Sequence, residues 1–405
     1  MNSPSSLPFQ KPFGDALAAL GTAPVTARAY YDEAWYDLEV EAIFKRTWLQ
    51  VGHVCEIPEP GSFIRRELEF AKASILIVRG KDGDVRAFHN VCTHRGTQLV
   101  SEASGRKSTF SCPYHMWTFS TDGALISAPD FERFYVDKAR CGLPEVSVDV
   151  CAGLIYINLD PAPRQELREF LGPMAEMVET LPVARATCFD EYIYEIDANW
   201  KITFDNFQEN YHVRFVHRRV SGAPPMNAEN PYLYPKRYEV FGPHRLYTNS
   251  GSSPDAERPQ PVLHFLFGKL GEQLVADGTV QNPHAQDYFV FYPNHIVHGS
   301  PAMHLTHTVT PLSAGRSRGI FRFYWVGDDR SPTDRLVREF SMAFGREIHA
   351  EDGDVLRRCQ LGLQGGALEH IHFQQQEVMC RHLYESTVAE IDAWLAEHGS
   401  EGAVT

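Results

Sequence analysis

The chain has 405 residues, of which 43% are hydrophobic and 22% are charged. This composition is typical of a globular protein, and the length is sufficient for two domains with separate cores. The net charge of −14 argues against nucleic acid as a partner, because phosphate binding needs a basic face. No apolar run reaches bilayer length and the N-terminal residues lack a signal-peptide pattern, so we expect a cytoplasmic protein that does not enter a membrane.

The first 48 residues predict a helical segment. Residues 1–25 are rich in Ser, Pro, Gly and Ala, and apolar residues then recur at roughly helical spacing over 26–48. We expect residues 1–48 to pack on the C-terminal domain.

The sequence of residues 49–160 predicts an all-β domain. Apolar runs over 74–79 and 85–88 flank the turn sequence GKDG, which predicts a hairpin, and another strand is expected over 153–158. Pro161 and Pro163 mark the end of this domain.

The remaining residues, 161–405, predict a second domain. An amphipathic helix is expected over 165–181, and a strand over 192–196. Strand-like runs over 285–327 predict one large antiparallel sheet, and helices are expected over 335–362 and 373–398. The stretch 220–285 is rich in Pro, Gly, Asn and Asp and predicts long loops.

The first chemical motif lies inside the β domain. It consists of Cys92-x-His94 and, seventeen residues later, Cys112-x-x-His115. Two thiolates and two imidazoles can hold the two irons of a [2Fe-2S] cluster. A zinc site is the alternative, but zinc motifs usually group like ligands, whereas each half here carries one of each.

The loops CTHRG and CPYHMWTF resemble the paired cluster loops of the Rieske oxygenase family. The resemblance implies a Rieske [2Fe-2S] cluster held by Cys92, His94, Cys112 and His115. Most family members have glycine where Met116 stands, so we expect the packing of this loop or the potential of the cluster to differ slightly.

The second motif is the run NWKITFDNFQENYHVRFVH over residues 199–217. Two histidines with a carboxylate from elsewhere form the facial triad of a non-heme Fe(II) oxygenase. His212 and His217 are five residues apart, so a regular helix would point them about 140° away from each other. The two side chains can converge on one ion only if the helix is distorted or ends between them, and we predict such a break, usually a π-bulge, between Tyr211 and His217.

The same family resemblance covers the run and implies roles for its residues. His212, His217 and Asp352 would bind a mononuclear Fe(II), with Asp354 as the second choice for the third ligand and Glu351 as a weaker one. Glu209 would bridge a cluster histidine and an iron histidine of neighbouring subunits in a homotrimer. The resemblance also implies that Asp205 lines or supports the iron pocket.

The implied fold is α+β, with an all-β Rieske domain and a helix-grip-like catalytic domain whose large antiparallel sheet is flanked by helices. The implied function is that of a terminal oxygenase, which inserts oxygen from O2 into an organic substrate. Electrons would come from NAD(P)H through a separate reductase, with or without a ferredoxin, because the sequence contains no G-x-G-x-x-G segment.

Three questions of function stay open at this point. The preferred reaction is hydroxylation of an aromatic compound, and a monooxygenase or demethylase acting on a methylated or quaternary amine is the alternative. Many aromatic-ring members carry aspartate at the position of Glu209, and glutamate there resembles the variant seen in some members that oxidise quaternary amines. A Rieske electron carrier without oxygenase activity is the other class of protein to consider, and the sequence does not say whether a small β subunit accompanies the chain.

Overall fold

The computed structural model describes residues 15–217, 230, 232–250, 285–299, 304–326 and 332–399. Its contacts define two compact units, one of residues 40–175 and one of residues 1–39 together with 176–405. Within the described part of the chain, no helix combines the length and the apolar character that crossing a bilayer requires.

The N-terminal segment is helical in part. It contains α1 (Asp15–Ala18), β1 (Val25–Thr26), a 3₁₀ turn (Ala27–Tyr30) and α2 (Glu33–Glu39). One π-helical turn, Val40–Phe44, follows, and four of its five residues are buried. The predicted helical texture over 26–48 is therefore divided into three short pieces rather than one helix.

The unit of residues 40–175 is mainly β-structure, as predicted. Its strands are β2 (Leu49–His53), β3 (Ser62–Leu68), β4 (Ala73–Arg79), β5 (Val85–His89), β6 (Ser104–Arg106), β7 (Thr109–Ser111), β8 (Thr118–Ser120), β9 (Leu125–Ser127), β10 (Glu145–Cys151) and β11 (Leu154–Asn158), followed by helix α3 (Leu167–Leu171). They form an antiparallel sheet in the order β2-β11-β10-β5-β4-β3-β6 and a smaller sheet β7-β8-β9. The predicted β4–β5 hairpin is confirmed.

The two cysteine–histidine loops leave these sheets in different ways. The second loop is the tip of the β7–β8 hairpin. The first connects β5 to β6, which pair with other strands rather than with each other. The prediction that both loops are hairpin tips is therefore confirmed for the second and wrong for the first. Both loops lie on a core that includes Phe110, Trp117 and Phe119.

The other unit contains a large antiparallel sheet flanked by helices. Its elements are α4 (Met174–Glu179), β12 (Cys188–Ile196), α5 (Trp200–Asp205), α6 (Val213–Val216), β13 (Arg237–Phe241), β14 (His244–Ser250), β15 (Ala285–Phe291), β16 (His295–Gly299), β17 (His304–Ser313), β18 (Arg316–Trp325), α7 (Pro332–Gln364), β19 (His370–Ile371) and α8 (Val378–His398). The sheet order is β12-β18-β17-β16-β15-β14-β13. The predicted α+β fold class, with a large antiparallel sheet, is confirmed.

Two predictions about this unit need correction. The expected helix over 165–181 is two helices, α3 and α4, separated by Gly172 and Pro173, because Gly172 adopts a positive φ of 56° that ends the first. The long loops expected over 220–285 include a hairpin, since Phe241 pairs with His244 across a two-residue turn. The rest of that stretch lies largely outside the described residues.

Helix α7 packs closely on the sheet. Its Met342 and Leu356 share an apolar core with Tyr194, Phe321 and Phe323. A Cβ atom at Gly345 would lie 2.6 Å from the ring of Phe323, so only glycine permits this approach. The close approach places one face of α7 directly against the sheet.

Candidate metal centres

The first cysteine–histidine loop is a tight backbone turn. The Thr97 carbonyl accepts the Cys92 N–H at 2.8 Å, and the Cys92 carbonyl accepts the Gly96 N–H at 2.9 Å. Gly96 has a φ of 77°, in the left-handed region where glycine carries no steric cost. This turn explains why glycine follows Arg95 in the loop sequence.

The second loop repeats this turn with a different residue. The Trp117 carbonyl accepts the Cys112 N–H at 2.7 Å, and the Cys112 carbonyl accepts the Met116 N–H at 3.0 Å. Met116 has a φ of 57° and a side chain that is 57% exposed. The expected difference in loop packing therefore has a physical basis, because a side chain in this conformation costs about 1–2 kcal/mol relative to glycine.

The four predicted cluster ligands lie together. Cys92 and Cys112 are buried, and the His94 and His115 rings lie 4.6 Å apart at 70°. The Nδ1 atoms of both histidines are buried and have no hydrogen-bond partner among the described residues. Unpartnered buried nitrogens next to two buried thiols fit a cluster with mixed ligation.

The thiol of Cys112 is prepared for ligation by its own loop. Burial alone would raise the pKa of this thiol, but the backbone N–H groups of Tyr114 and His115 donate to the sulfur and bring the pKa below its usual value.

Two aromatic rings pack on the imidazole of His94. The ring of Trp117 stacks on it at 4.9 Å, and Phe134 meets it edge-on at 5.4 Å.

A single zinc ion fits this arrangement poorly. One ion needs its donor atoms gathered closely around it. Among the described residues, only His212, His217 and Asp352 form a group of three or more ligand atoms within 4.8 Å of one another. The two loops supply one thiolate and one imidazole each, which is the ligand set of a cluster with two irons rather than the grouped ligands of a zinc ion.

The second site gathers the two histidines and one carboxylate that the sequence predicted. Oδ1 of Asp352 lies 3.6 Å from Nε2 of His212 and 3.4 Å from Nε2 of His217. Asp352 is 1% exposed, and its Oδ1 has no hydrogen-bond partner among the described residues. Burial raises the pKa of this carboxyl group, although the two histidines act in the opposite direction. Two imidazoles and an unsatisfied carboxylate fit a divalent iron, and their role as ligands stays a prediction.

A carboxylate contacts Nδ1 of each histidine, the ring nitrogen that faces away from Asp352. Glu209 accepts a hydrogen bond from Nδ1 of His212, and Oε2 of Glu351 lies 3.1 Å from Nδ1 of His217. Burial alone would lower the pKa of His212, but Glu209 outweighs it and raises that pKa. Each carboxylate orients its ring so that Nε2 faces Asp352, an arrangement common among metal-binding histidines.

The two runner-up carboxylates lie elsewhere. Asp354 is paired with Arg358 at 2.9 Å on the exposed side of α7. Glu351 faces the rear of His217 rather than the centre of the triad. The structure therefore favours Asp352 over both as the third ligand.

The chain around the histidines does not form the distorted helix that we predicted. Helix α5 ends at Asp205, residues 206–212 form turns, and His212 and His217 flank the four-residue helix α6. The predicted π-bulge between Tyr211 and His217 is wrong. Hydrogen bonds hold the turns instead, because the Phe207 carbonyl accepts from Tyr247 Oη at 2.5 Å and Asn210 Nδ2 donates to the Leu233 carbonyl at 2.8 Å.

Asp205 is partly buried and has its own partners. Tyr30 Oη donates to its Oδ2 at 3.3 Å, and Gln208 Nε2 donates to its Oδ1 at 3.2 Å. Burial raises the pKa of Asp205 to about 8. These contacts connect it to the turn that carries Glu209, and its catalytic role stays a prediction.

An aromatic pocket lies between the sheet and α7, and sequence reasoning did not identify it. The residues that line it are Phe207, Tyr288, Ile296, His298, Leu305, His307, Phe321, Phe323, Phe344, Gly345, Ile348 and His349. His349 precedes Asp352 by three residues on α7, so both lie on one helix face. The alternation of residues along the strands could have revealed this pocket. Strand β17 contributes Leu305 and His307, and β18 contributes Phe321 and Phe323.

Comparisons with known proteins identify the family of both domains. Residues 47–146 match the Rieske [2Fe-2S] domain, and residues 183–393 match the catalytic domain of the ring hydroxylating alpha subunit. A glycine betaine monooxygenase oxygenase subunit of Pseudomonas aeruginosa is 34% identical over 62% of this chain and 57% of its own length. The alpha subunit of a 2-aminobenzenesulfonate 2,3-dioxygenase of an Alcaligenes species is 36% identical over 57% of this chain and 60% of its own.

A solved structure shows the same fold. A quaternary ammonium Rieske monooxygenase superimposes with a TM-score of 0.75 at 22% identity, covering 93% of this chain and 97% of the other. The chain thus spans under two thirds of the length of the two curated relatives and almost all of this structural neighbour.

Proposed function

The chain belongs to the family of Rieske non-heme iron oxygenases whose catalytic domain is that of ring-hydroxylating alpha subunits, and from this premise we propose that it hydroxylates a methylated quaternary amine with O2. It would act as the terminal component, with a separate reductase as electron donor. The domain limits expected from the sequence, 49–160 for the cluster and 161–405 for the mononuclear iron, belong to this proposal, as does the cytoplasmic location.

The observation that carries the oxygenase part is the buried group of His212, His217 and Asp352. An iron(II) bound by these three side chains keeps open positions for O2. Asp352 is buried and its Oδ1 is unsatisfied, which leaves its charge available to such an ion. Glu209 and Glu351 hold the tautomers of the two imidazoles, with Nδ1 engaged and Nε2 directed to the centre.

The quaternary-amine substrate class is supported by a relative and by the pocket. A glycine betaine monooxygenase subunit is among the similar proteins. Phe207, Tyr288, Phe321 and Phe344 line the pocket. An aromatic ring attracts a methylated ammonium group placed over its face by about 0.5–2 kcal/mol. The aromatic walls also exclude water from the reacting carbon.

A second candidate is hydroxylation of an aromatic compound, the reaction that the sequence favoured first. It is supported by the similarity to a 2-aminobenzenesulfonate dioxygenase subunit at 36% identity. The aromatic pocket can also stack a flat ring. The two candidates differ in product, because oxidation of an N-methyl group releases formaldehyde and ring oxidation does not.

We also propose that Glu209 links a cluster histidine of one subunit to His212 of the next in a homotrimer. Its support is the contact of Glu209 with Nδ1 of His212. A ferredoxin and a β subunit are further candidate partners of such an assembly, and light scattering of the active protein tests the trimer.

The test is turnover by the purified chain after anaerobic reconstitution, which should yield three irons per chain. NADH and a surrogate reductase of this family supply two electrons per O2. With glycine betaine, we expect formaldehyde and dimethylglycine in equal amounts, since the N-hydroxymethyl product splits into these two. Asp352→Asn should abolish this turnover, and Asp354→Asn on the same helix is the control. A hydroxylated ring from 2-aminobenzenesulfonate, without formaldehyde from betaine, would establish the second candidate instead.

A further inference from the structure

Three histidines of the aromatic pocket have no function in the scheme above. His298 lies on β16, His307 on β17 and His349 on α7. In the strand register, His298 pairs with Leu305, two residues from His307. The two strand histidines are therefore diagonal neighbours on one face of the sheet, with Cβ atoms about 7–8 Å apart. His307 and His349 both contact the ring of Tyr194.

These imidazoles hold polar atoms that the described residues do not satisfy. His298, His307 and His349 are 3%, 1% and 5% exposed. Both ring nitrogens of His298, Nδ1 of His307 and Nε2 of His349 have no hydrogen-bond partner in the described part of the chain. A buried polar group without a partner costs about 1–3 kcal/mol. Three such groups lining one cavity indicate a polar ligand that supplies the missing partners.

Each of these imidazoles carries an N–H group, which favours a ligand that accepts hydrogen bonds. Burial lowers the pKa of His298 to about 3 and that of His349 to about 4, so both rings are neutral at pH 7 and each carries one N–H. Tyr194 Oη lies 2.8 Å from Nε2 of His307, and burial keeps this phenol protonated by raising its pKa. When the phenol donates to Nε2, the proton of His307 is on Nδ1, which is free to donate.

We propose that His298, His307 and His349 form a receptor for an organic oxyanion, a carboxylate or a sulfonate, carried by the substrate. This inference rests on the proposed function and deepens it. Hydrogen bonds to an ionised acceptor are stronger than those between neutral groups, and an acceptor with two or three oxygens can engage several donors at once. A zwitterion such as a betaine brings its own positive charge, which offsets the burial of its carboxylate among neutral rings.

Binding of paired ligands to the anaerobic holoenzyme tests the receptor without turnover. Glycine betaine and choline share the trimethylammonium group, and only the former has a carboxylate. 2-Aminobenzenesulfonate and aniline form the corresponding aromatic pair. We expect His298→Leu to weaken binding of the oxyanion member of the recognised pair by about 10- to 100-fold and to leave its partner within about 2-fold. His298→Gln keeps a donor and should restore part of the affinity.

His304→Leu is the matched control, because His304 lies on β17 three residues from His307 and does not line the pocket. If His298→Leu weakens binding of glycine betaine alone, the substrate is a carboxylate. If it weakens binding of 2-aminobenzenesulfonate alone, the substrate is an aromatic compound. Equal losses for both members of a pair, unchanged affinity in His298→Leu, or no binding of either oxyanion by the wild type overturns the receptor. Histidine-dependent binding of betaine without formaldehyde formation would refute the proposed function and leave the receptor standing.

Discussion

Replacing Glu351 by glutamine tests how the iron site is built. Oε2 of Glu351 lies 3.1 Å from Nδ1 of His217, and the carboxylate is 6% exposed. Glutamine keeps the size and an acceptor oxygen, so the substitution removes the charge and retains the hydrogen bond. We therefore expect His217 to stay in place with a less basic Nε2.

The expected loss of iron(II) affinity follows from the difference between a charged and a neutral hydrogen bond. A hydrogen bond to a charged group contributes about 1.5–3 kcal/mol and a neutral one about 0.5–1.5 kcal/mol. The difference is about 1–1.5 kcal/mol, which corresponds to iron(II) affinity about 10-fold weaker. That value lies at the lower end of the 10- to 100-fold losses typical when the partner of a metal-binding histidine is removed.

The assay is anaerobic competition for iron(II) between the cluster-loaded protein and a chromogenic chelator. Asp354→Asn, an exposed position on the same helix, should bind iron as the wild type does. A loss beyond about 1,000-fold in Glu351→Gln would show that Glu351 is itself a ligand. Affinity equal to that of the wild type would refute the orienting role.

Three other changes have expected outcomes. Glu209→Gln should leave both iron sites loaded, because the ligands stay in place, but slow NADH-dependent turnover sharply, and unchanged turnover would eliminate the bridging role. Asp205 binds its proton more tightly in the folded protein, with a pKa of about 8, so stability falls as pH rises from about 4 to 8. Asp205→Asn should flatten that slope in urea unfolding at pH 6 and pH 8, and an unaltered slope would assign it to other groups. Met116→Gly should raise the free energy of unfolding by about 0.5–1 kcal/mol, since it removes a side chain at a φ of 57°, and a lower melting temperature of the cluster-loaded protein would contradict this.

The chemistry was more predictable from the sequence than the geometry that supports it. The cluster loops are local turns, so the spacing of Cys92 and His94 together with the family resemblance was enough to propose them as ligands. Asp352 could be chosen only by resemblance, because 134 residues of chain separate it from His217. The π-bulge prediction failed because it assumed a continuous helix, whereas side chains of distant residues such as Tyr247 hold this segment in turns.

Errors elsewhere have similar causes. Gly242 and Pro243 suggested a loop, but they form the two-residue turn of a hairpin whose pairing depends on the neighbouring strand β15. The sequence alone gives the pocket histidines no role, because a histidine in a strand does not reveal which face of the sheet is covered. Only the register of four strands and the position of α7 place His298 and His349 around one cavity.

Helix α7 has a consequence for how this enzyme could change its specificity. This one helix carries the proposed iron ligand Asp352, the carboxylate of Glu351 beside His217, and one wall of the aromatic pocket. Remodelling the cavity from the helix side therefore disturbs the metal as well. Residues on the strands can vary independently, so new substrates should be reached most readily through changes at Ile296, His298 and Leu305.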